Sequence, residues 1–393
     1  MQSNNSKKKQ VLVIAQADSI HTIRKLQTIR AFCNHIDLYL FPSSPFPANP
    51  VFASMGITVI DPKVTNTNQE ALADYWDELF FKRQPTSSPS AHALADILGK
   101  NNFDMVHIFA LQQGAYLYHD SLNLLGEGYS RPFTLLSLWG NCIYYFSRIA
   151  AHKEWIIEAL NRCDTIQPES ERDEPLLRAL GFNKNITEAI QLTFDWDKLK
   201  HQVETLSQKP KIETVERRII AVRGSYPVRG RTFLALEALK RIRWVGELNY
   251  RVVVFGGTAI DRAVFEIDKP EYFFAFYEGL NWAEVQWLLS MSRLVISLNT
   301  TDGTPQLFYE AIASKTTAIF SRNSGLRQFL DPTALNYTLQ LVDPNNIEEI
   351  IMAITDSITN PSSTVNNELL ELERRISEKQ GFSRLSKFFE KVY

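Results

Sequence analysis

Two carboxylates in the segment SLNTTDGTPQLFYEAIASK, residues Ser297–Lys315, have the surroundings of a ligand-binding site. Asp302 lies in a polar stretch next to a glycine, and Glu310 follows it among apolar and aromatic neighbours. A carboxylate with apolar neighbours costs free energy unless hydrogen-bond donors surround it, so Glu310 needs a partner such as a pair of hydroxyl groups. A ribose diol would be one such partner, and an arginine from another helix is the alternative.

The residues between the two carboxylates predict a helix start that binds an anion. Pro305 suits the first position of a helix, where its missing N–H is not needed. Backbone N–H groups near Gly303 and Gln306, on either side of Thr304, are then left for a ligand, and the helix dipole favours negative charge at this end. Gly303 also lets a ligand approach the backbone closely.

A second loop carries basic side chains at a predicted strand-to-helix junction. The segment AVRGSYPVRGRTF places Arg223 and Gly224 directly after a strand, with Arg229 nearer to the following helix. From Ser207 to Arg251 there are eleven Lys and Arg residues against four Asp and Glu, in a chain whose net charge is -2. Guanidinium groups pair with phosphate oxygens through two parallel hydrogen bonds, so the two arginines predict a diphosphate site. The alternative is a solvated basic helix.

The first predicted strand is followed by AQADSIHTIRKLQ instead of the glycine fingerprint of dinucleotide-binding proteins. An NAD-dependent enzyme is therefore disfavoured. Asp18 or Ser19 can cap a helix that begins near Ile20, and His21 lies in its first turn. The pattern leaves two interpretations of His21 open, a substrate-facing side chain and a solvated polar residue.

Three further positions lie at predicted strand ends: His107 in FDMVHIF, and Gly140 and Asn141 in SLWGNC. Ligands in open α/β sheets bind at the carboxyl ends of the strands, so these residues, with Ser19 and His21, are candidates for contacts with a second substrate. A structural role is the alternative for His107, because MVHIF has the pattern of a buried strand.

Short runs rich in valine, isoleucine and aromatic residues alternate with helical patterns along the whole chain. They are VLVIA, DLYLF, ITVI, DMVHIF, FTLLSL and DTIQ in the first half, and RIIAV, YRVVVFG, YFFAFY, LVISL, TTAIF and YTLQLV in the second. Such alternation predicts parallel sheets covered by helices on both faces. Two series of this kind predict an α/β protein with two doubly wound, Rossmann-like domains.

The predicted domain boundaries follow from length and local composition. A chain of 393 residues suits two domains, which we place at residues 1–205 and 217–375. The polar, proline-containing segment 206–216 is the predicted linker. The closing segment 376–393 ends in FSRLSKFFEKVY, whose apolar residues at helical spacing predict a docked helix rather than a free tail.

The composition argues against several classes of protein. No apolar run reaches the roughly 20 residues that a membrane-spanning helix needs. MQSNNSKKKQ at the N-terminus lacks the apolar stretch of a secretory signal, and three widely spaced cysteines indicate neither a disulfide framework nor a zinc site. The low net charge argues against nucleic-acid binding. We therefore expect a cytoplasmic protein, in which the Lys7–Lys9 cluster either touches an anionic membrane surface or is a solvated end.

The segment DGTPQLFYEAIA, Asp302–Ala313, resembles the acid–seven residues–Glu motif of the retaining glycosyltransferases of family four. The form Asp-Gly-Thr-Pro resembles one sub-branch of that family. AVRGSYPVRG is similar to the family's phosphate loop, and the likeness extends over nearly the whole chain. The family has the GT-B fold, in which two Rossmann-like domains face a central cleft. Its closing helix packs back on the first domain, and its members use nucleotide-sugar donors, commonly without a metal.

The resemblance implies a role for each residue of the two loops. Asp302 would hold hydroxyl groups of the donor sugar, Glu310 the ribose hydroxyls, and Arg223 and Arg229 the diphosphate. No cofactor beyond the donor is implied. The acceptor would be a glycan or a lipid-linked molecule in the synthesis of lipopolysaccharide or another cell-surface polysaccharide, with peripheral contact with the inner membrane surface.

The likeness is weaker on the acceptor side. Phe109 stands where the family has a second histidine, Asn141 stands where an acid is common, and TFDWDKLK lacks the glycine of the usual junction. Two alternatives therefore stay open. One is a non-catalytic protein that binds a nucleotide sugar or a glycan, and the other is a GT-B sugar-nucleotide epimerase. An epimerase would need acid/base residues that cannot be placed in this sequence.

Overall fold

The computed structural model describes residues 8–44, 46–60, 88–193, 195–206, 216–225, 230–330, 338–359 and 362–393, the last range with side chains from residue 367 onward. The chain divides into two compact units: Met1–Phe194 together with Leu385–Tyr393, and Asp195–Arg384. We predicted a first domain ending at residue 205, whereas the segment from Asp195 onward belongs to the second unit. Most of the predicted linker, residues 207–215, lies outside the described residues.

Among its described residues, the first unit forms a sheet of seven parallel strands in the order β3-β2-β1-β4-β5-β6-β7. The strands are β1 (Lys9–Ala15), β2 (Ile36–Pro42), β3 (Thr58–Val59), β4 (Met105–Phe109), β5 (Phe133–Ser137), β6 (Thr165–Gln167) and β7 (Asn185–Ile186). The helices are α1 (Ile20–Phe32), α2 (Val51–Ser54), α3 (Pro89–Lys100), α4 (Tyr116–Leu125), α5 (Ala150–Asn161) and α6 (Asp173–Ala179). A π-helix at Leu111–Ala115 precedes α4, and a 3₁₀ turn at Phe146–Arg148 precedes α5.

The described part of the second unit forms a parallel sheet of six strands in the order β10-β9-β8-β11-β12-β13. The strands are β8 (Ile219–Arg223), β9 (Arg251–Phe255), β10 (Phe273–Tyr277), β11 (Ser292–Ser297), β12 (Thr317–Ser321) and β13 (Leu339–Val342). The helices are α7 (Trp196–Glu204), α8 (Thr232–Arg241), α9 (Trp244–Glu247), α10 (Ala259–Glu266), α11 (Trp282–Met291), α12 (Gln306–Ala313), α13 (Ile347–Thr359) and α14 (Ser362–Gln380). A 3₁₀ turn spans Gly325–Phe329, and α15 (Phe382–Val392) begins in this unit and ends in the first.

The central strand β1 shows why the strands are apolar at successive positions. Its side chains alternate between the two faces of the sheet. Leu12 and Ile14 are fully buried in the cluster that contains residues of α3, whereas Val11 and Val13 are buried with residues of α1. Helices therefore cover both faces, as expected for a parallel sheet.

The predicted α/β fold class is confirmed, because two parallel sheets carry flanking helices. Each predicted apolar run forms a strand, in both halves of the chain. The additional strand β7 was not predicted, since its two residues are too few to show a period. The predicted cap of the first helix is also confirmed: Ser19 precedes α1, and its hydroxyl accepts a hydrogen bond from the His21 N–H.

The last residues of the chain are part of the core of the first unit. Leu385, Phe388 and Phe389 of α15 are almost fully buried, in one cluster with Val11 and other residues of the first sheet. The Tyr393 hydroxyl hydrogen-bonds His107 Nδ1, and Lys9 Nζ donates to the Tyr393 carbonyl at 3.1 Å. Lys9 is thus held within β1, Lys8 lies 3.8 Å from Asp37, and Lys7 is outside the described residues.

Phe388→Ala is expected to reduce the free energy of unfolding of the first unit by about 3–5 kcal/mol, because it empties a buried aromatic position. Phe382→Ala is the matched control, since Phe382 lies on the same helix with 56% of its surface exposed. Its effect should stay within about 0.5 kcal/mol. Urea denaturation of both variants measures the difference, and equal effects would contradict the docked position of α15.

Candidate functional site

The strand order of the second sheet defines where a ligand can bind. β8 comes first along the chain and lies in the middle, with β9 on one side and β11 on the other. The connections therefore run in opposite directions from β8, and the loops that follow β8 and β11 diverge at the carboxyl ends of these two strands. Open α/β sheets bind ligands at such a switch point.

The loop after β8 begins with Arg223 and Gly224. The Arg223 side chain is exposed at the strand end. The Gly224 N–H donates to the Phe255 carbonyl at 2.8 Å, and a Cβ at Gly224 would lie 2.1 Å from the Gly257 Cα. Gly224 was predicted as a donor contact, and its close packing against the loop after β9 is sufficient reason for a glycine here. Arg229 lies outside the described residues.

The loops after β8 and β11 are joined by backbone contacts. Gly230 forms an antiparallel bridge with Asn299, and the Arg231 N–H donates to the Leu298 carbonyl at 2.8 Å. On the other side, the Thr232 hydroxyl donates to the Arg223 carbonyl at 3.4 Å. Arg223 and the loop that carries Asp302 are consequently held at the same edge of the sheet.

Asp302 is half-buried, and its carboxylate is oriented by its own loop. Asn299 Nδ2 donates to Oδ2 at 3.1 Å, and the Gly303 N–H donates to Oδ1 at 2.9 Å. The Gly303 carbonyl accepts from the Gly325 N–H at 2.7 Å. We predicted that the Gly303 amide faces a ligand, and this is corrected: the amide satisfies the neighbouring carboxylate and fixes its position.

The helix after this loop begins one residue later than predicted. Pro305 is the capping residue of α12, with φ -62 and ψ 132, and Gln306 is the first helical residue. Within the described part of the chain, no side chain caps this helix start. Thr304 is buried, and its hydroxyl accepts from Gln328 Nε2 at 3.5 Å. The positive end of the α12 dipole therefore lies beside Asp302, at the switch point.

Glu310 lies in the middle of α12 with 7% of its surface exposed. Trp282 Nε1 donates to Glu310 Oε1 at 3.2 Å. Trp282 is the first residue of α11, whose start is fixed by a capping box of Asn281 and Glu284. The sequence suggested hydroxyl groups or an arginine as partners of Glu310, and the structure adds an indole N–H that no spacing rule predicted.

Two features of this site were missed in the sequence. The loop after β9 carries Gly256 and Gly257, and Gly257 packs directly on Gly224. The pair of glycines after YRVVVF was a usable signal, because close backbone approach at a strand end requires glycine. The signal for Trp282 was weaker: the pattern Asn281-x-x-Glu284 predicts a helix start after β10. It says nothing about which carboxylate that helix reaches.

The candidate side chains of the first unit are divided between its surface and its core. His21 lies in the exposed first turn of α1, with its ring 5.9 Å from that of Trp139 in an edge-on contact. Gly140 is buried, and its carbonyl accepts a hydrogen bond from Arg172. Asn141 is half-buried, and its carbonyl accepts from the Tyr145 N–H at 3.2 Å.

The expected position of His107 at an open strand end is corrected. His107 is the third residue of β4 and fully buried, and Phe109 ends the strand. Its Nδ1 contacts the Tyr393 hydroxyl and its Nε2 contacts the Ser137 hydroxyl at 2.7 Å. Burial, with a smaller effect of the nearby Lys25 ammonium, lowers the pKa of His107 well below its usual value. The imidazole is thus a neutral core group, which is the structural alternative.

The described residues contain neither a cluster of metal ligands nor a membrane-spanning helix. No three His, Cys, Asp or Glu side chains in the described ranges come together as metal ligands would. None of the described helices combines the length and the apolar character that crossing a bilayer requires.

This chain is similar to known proteins in its fold. The sequence matches no protein-family model and no curated protein. It is similar in structure to the sucrose-phosphate synthase of Thermosynechococcus elongatus, with a TM-score of 0.70, 14% identity and 98% of both chains covered.

Two further solved structures show the same likeness. Anabaena HepE in complex with UDP and glucose has a TM-score of 0.67 at 10% identity, with 98% of this chain and 99% of that chain covered. The α,α-trehalose 6-phosphate synthase of Burkholderia multivorans has a TM-score of 0.66 at 10% identity, with 98% and 96% covered. The chain therefore has two parallel α/β sheets of the kind found in GT-B glycosyltransferases.

Proposed function

We propose that this protein is a glycosyltransferase that moves a sugar from a nucleotide-diphosphate sugar to an acceptor. The observation that carries the proposal is the joined pair of loops at the switch point of the second sheet. These loops hold Arg223, Asp302 and the N-terminus of α12 at one edge. The similar fold of HepE, which was solved with UDP and glucose, supports a nucleotide-sugar donor.

In this proposal the donor diphosphate binds between Arg223 and the start of α12. The exposed guanidinium of Arg223 can donate two hydrogen bonds to one phosphate, and the helix dipole attracts the same negative charge. Arg229 would supply a second guanidinium, by the resemblance of its loop to a phosphate loop.

The two carboxylates would bind the hydroxyl groups of the donor. Asp302 is oriented by Asn299 and Gly303, and each of its oxygens can accept a further hydrogen bond from the sugar. Glu310 is buried and positioned by Trp282, which suits recognition of the ribose diol. A buried carboxylate gains more from such hydrogen bonds than an exposed one, because fewer water molecules compete.

The chemistry requires stabilisation of the leaving nucleoside diphosphate. Negative charge develops on the diphosphate as the bond to the sugar breaks, and fixed positive groups lower this barrier without reorganising. Arg223 and the α12 dipole are such groups and need no metal for this role. We further propose retention of the anomeric configuration by attack on the front face, with the departing phosphate taking the acceptor's proton. Product NMR that shows an inverted anomer would contradict this mechanism.

The acceptor side is assigned to the first unit. We propose a glycan or lipid-linked acceptor of cell-surface polysaccharide synthesis, consistent with the resemblance to family four, and a cytoplasmic protein that meets the membrane only at its surface. His21 and Asn141 remain acceptor-side candidates. Ser19 and Gly140 would contribute indirectly. Ser19 caps α1, which carries His21, and the Gly140 carbonyl accepts a hydrogen bond from Arg172.

A panel of UDP-, GDP- and ADP-sugars tests the proposal directly. A donor that binds the native state should raise the melting temperature, and the same donor should be hydrolysed or transferred. Loss of turnover in Asp302→Ala and Glu310→Ala would support an enzyme. Donor binding without turnover would favour the non-catalytic alternative, and isotope exchange at the sugar C2 would favour the epimerase.

Arg223→Ala is expected to lower turnover about 100-fold or more, because it removes a preorganised donor to the leaving diphosphate. Arg241→Ala is the matched control, since Arg241 lies on the following helix with an exposed side chain that pairs with Glu348. Release of nucleoside diphosphate, measured under saturating donor, compares the two variants. The assignment of Arg223 is wrong if both retain wild-type turnover.

Trp282→Phe is expected to weaken donor binding about tenfold or more, because a hydrogen bond to a charged group contributes about 1.5–3 kcal/mol. Trp287→Phe is the control, as Trp287 lies on the same helix and is 46% exposed. Calorimetric titration with the donor that the nucleotide-sugar panel identifies measures both affinities. Unchanged binding by Trp282→Phe would exclude a role of this indole in positioning Glu310.

A further inference from the structure

The first sheet has a switch point of its own. β1 comes first along the chain and lies between β2 and β4, so the loops after β1 and β4 diverge there. Gln16 directly follows β1, the π-helix Leu111–Ala115 follows β4, and Trp139 follows β5. None of these residues has a role in the site of the second unit.

Lys25 of α1 extends into this edge of the sheet as a buried ammonium. Only 2% of its surface is exposed. Its Nζ lies 5.2 Å from the ring centre of Phe109, the last residue of β4, and 5.7 Å from that of Trp139. No hydrogen bond or ion pair joins Lys25 Nζ to another described residue. Aromatic faces stabilise a cation partly, but they do not replace its hydrogen bonds.

Three neutral hydrogen-bond donors belong to residues that follow β1, β4 and β5. Within the described ranges, Gln16 Nε2, Gln113 Nε2 and Trp139 Nε1 are buried and have no hydrogen-bond partner. Gln16 is 2% exposed and Gln113 is 6% exposed. Buried polar groups are rarely left without partners, and each exception needs a reason. Here three such groups come from loops after three neighbouring strands, and all three are donors.

The backbone that carries Gln113 is pressed against the strand ends. Ala110 adopts φ 67, which is uncommon for a residue other than glycine. A Cβ at Gly114 would lie 2.9 Å from the Phe109 carbonyl oxygen and 3.2 Å from that of Ile14. The π-helix therefore lies directly over the ends of β1 and β4. Such single-turn π-helices occur frequently at functional sites.

The charged and titratable groups that face Lys25 do not provide hydrogen-bond partners for the three buried N–H donors. Burial lowers the pKa of Lys25 to about 8, and the Glu169 carboxylate opposes this with a smaller effect. Cys142 also faces the ammonium; burial raises the pKa of its thiol to about 11, so it carries no charge near pH 7. His107 is neutral. Glu169 can stabilise the charge of Lys25 at a distance, but it leaves the three N–H groups unaccounted for.

We propose that this edge of the first sheet binds an anionic group of the acceptor, a carboxylate or a phosphate, with Lys25 as the residue that selects for charge. Gln16, Gln113 and Trp139 donate to the oxygens of the same group. The inference rests on the proposed function, which it deepens by naming the chemical class of the acceptor. An anion of several oxygens accepts all of these hydrogen bonds and meets the ammonium directly, whereas a neutral hydroxyl group would leave only Glu169 to balance its charge.

Lys25→Met tests the proposal in the full chain. Calorimetric titrations at pH 7 use inorganic phosphate, glucose 6-phosphate and glucuronate, with glucose as the neutral probe. We expect at least one anionic probe to bind wild type and to bind Lys25→Met at least tenfold more weakly. Met has a similar shape and removes a desolvated charge, while Glu169 loses a counter-charge, so the melting temperature should change little. The phosphate and carboxylate probes identify which anion is preferred.

Two control variants and a second variant of the site distinguish anion binding at this site from binding elsewhere on the protein and from a loss of folding. Lys153→Met changes an exposed lysine of the same unit and should bind the probes as wild type does. Arg241→Ala changes an exposed arginine of the other unit, which pairs with Glu348, and should also retain anion binding. Gln16→Met removes one buried donor at nearly constant shape and should weaken binding of the anion several-fold. It keeps the proposal testable if Lys25→Met does not fold.

The proposal is overturned if no anionic probe binds, or if Lys25→Met or Gln16→Met binds them as wild type does. It is also overturned if Lys25→Met lowers the melting temperature while Lys25→Arg restores it without affecting any probe, since Lys25 would then be a structural partner of Glu169. Titration of wild type with UDP, GDP and ADP keeps the two proposals apart. If none of the three binds, the nucleotide-sugar donor is contradicted, whereas anion binding that depends on Lys25 would stand.

Discussion

The antiparallel bridge between Gly230 and Asn299 joins two loops that would otherwise leave the second sheet in different directions. A parallel sheet places the carboxyl ends of its strands at one edge, but it does not fix the loops that follow them. Here the Arg231 N–H adds a hydrogen bond to the Leu298 carbonyl, and the Thr232 hydroxyl adds one to the Arg223 carbonyl. These backbone contacts bring a guanidinium and a carboxylate to the same edge of the sheet.

This arrangement explains how the site can keep its charged groups oriented for a ligand. The Asp302 oxygens are held by one backbone and one side-chain N–H, and Glu310 is held by an indole N–H. An ionised carboxylate has about four acceptor sites, so N–H donors can orient it and still leave room for hydrogen bonds from hydroxyl groups.

The sequence predicted the strands well because a buried parallel strand needs a continuous apolar run, and such runs are visible in a single sequence. It predicted a cap at Asp18 or Ser19 for a similarly local reason. It left two roles for His107 open, a ligand contact at a strand end and a structural role in a buried strand, because the apolar run does not show that both ring nitrogens meet hydroxyl groups from distant parts of the chain. It also gave no sign that Lys25 is buried, since burial depends on which face of α1 meets the sheet. The spacing of residue types along the sequence does not reveal such long-range contacts.

The two sheets place different side chains at the same position in the topology. Each has its first strand in the middle, and each therefore offers diverging loops at its carboxyl edge. In the second sheet the edge carries carboxylates and a helix N-terminus, which suit hydroxyl groups and a diphosphate. In the first sheet it carries an ammonium and unpaired N–H groups, which suit a smaller anion. The strand order decides where a ligand can bind, and the side chains of the loops decide which ligand it is. A resemblance in fold alone therefore leaves the substrates of such a protein undetermined, and they must be inferred from the polar groups at each edge.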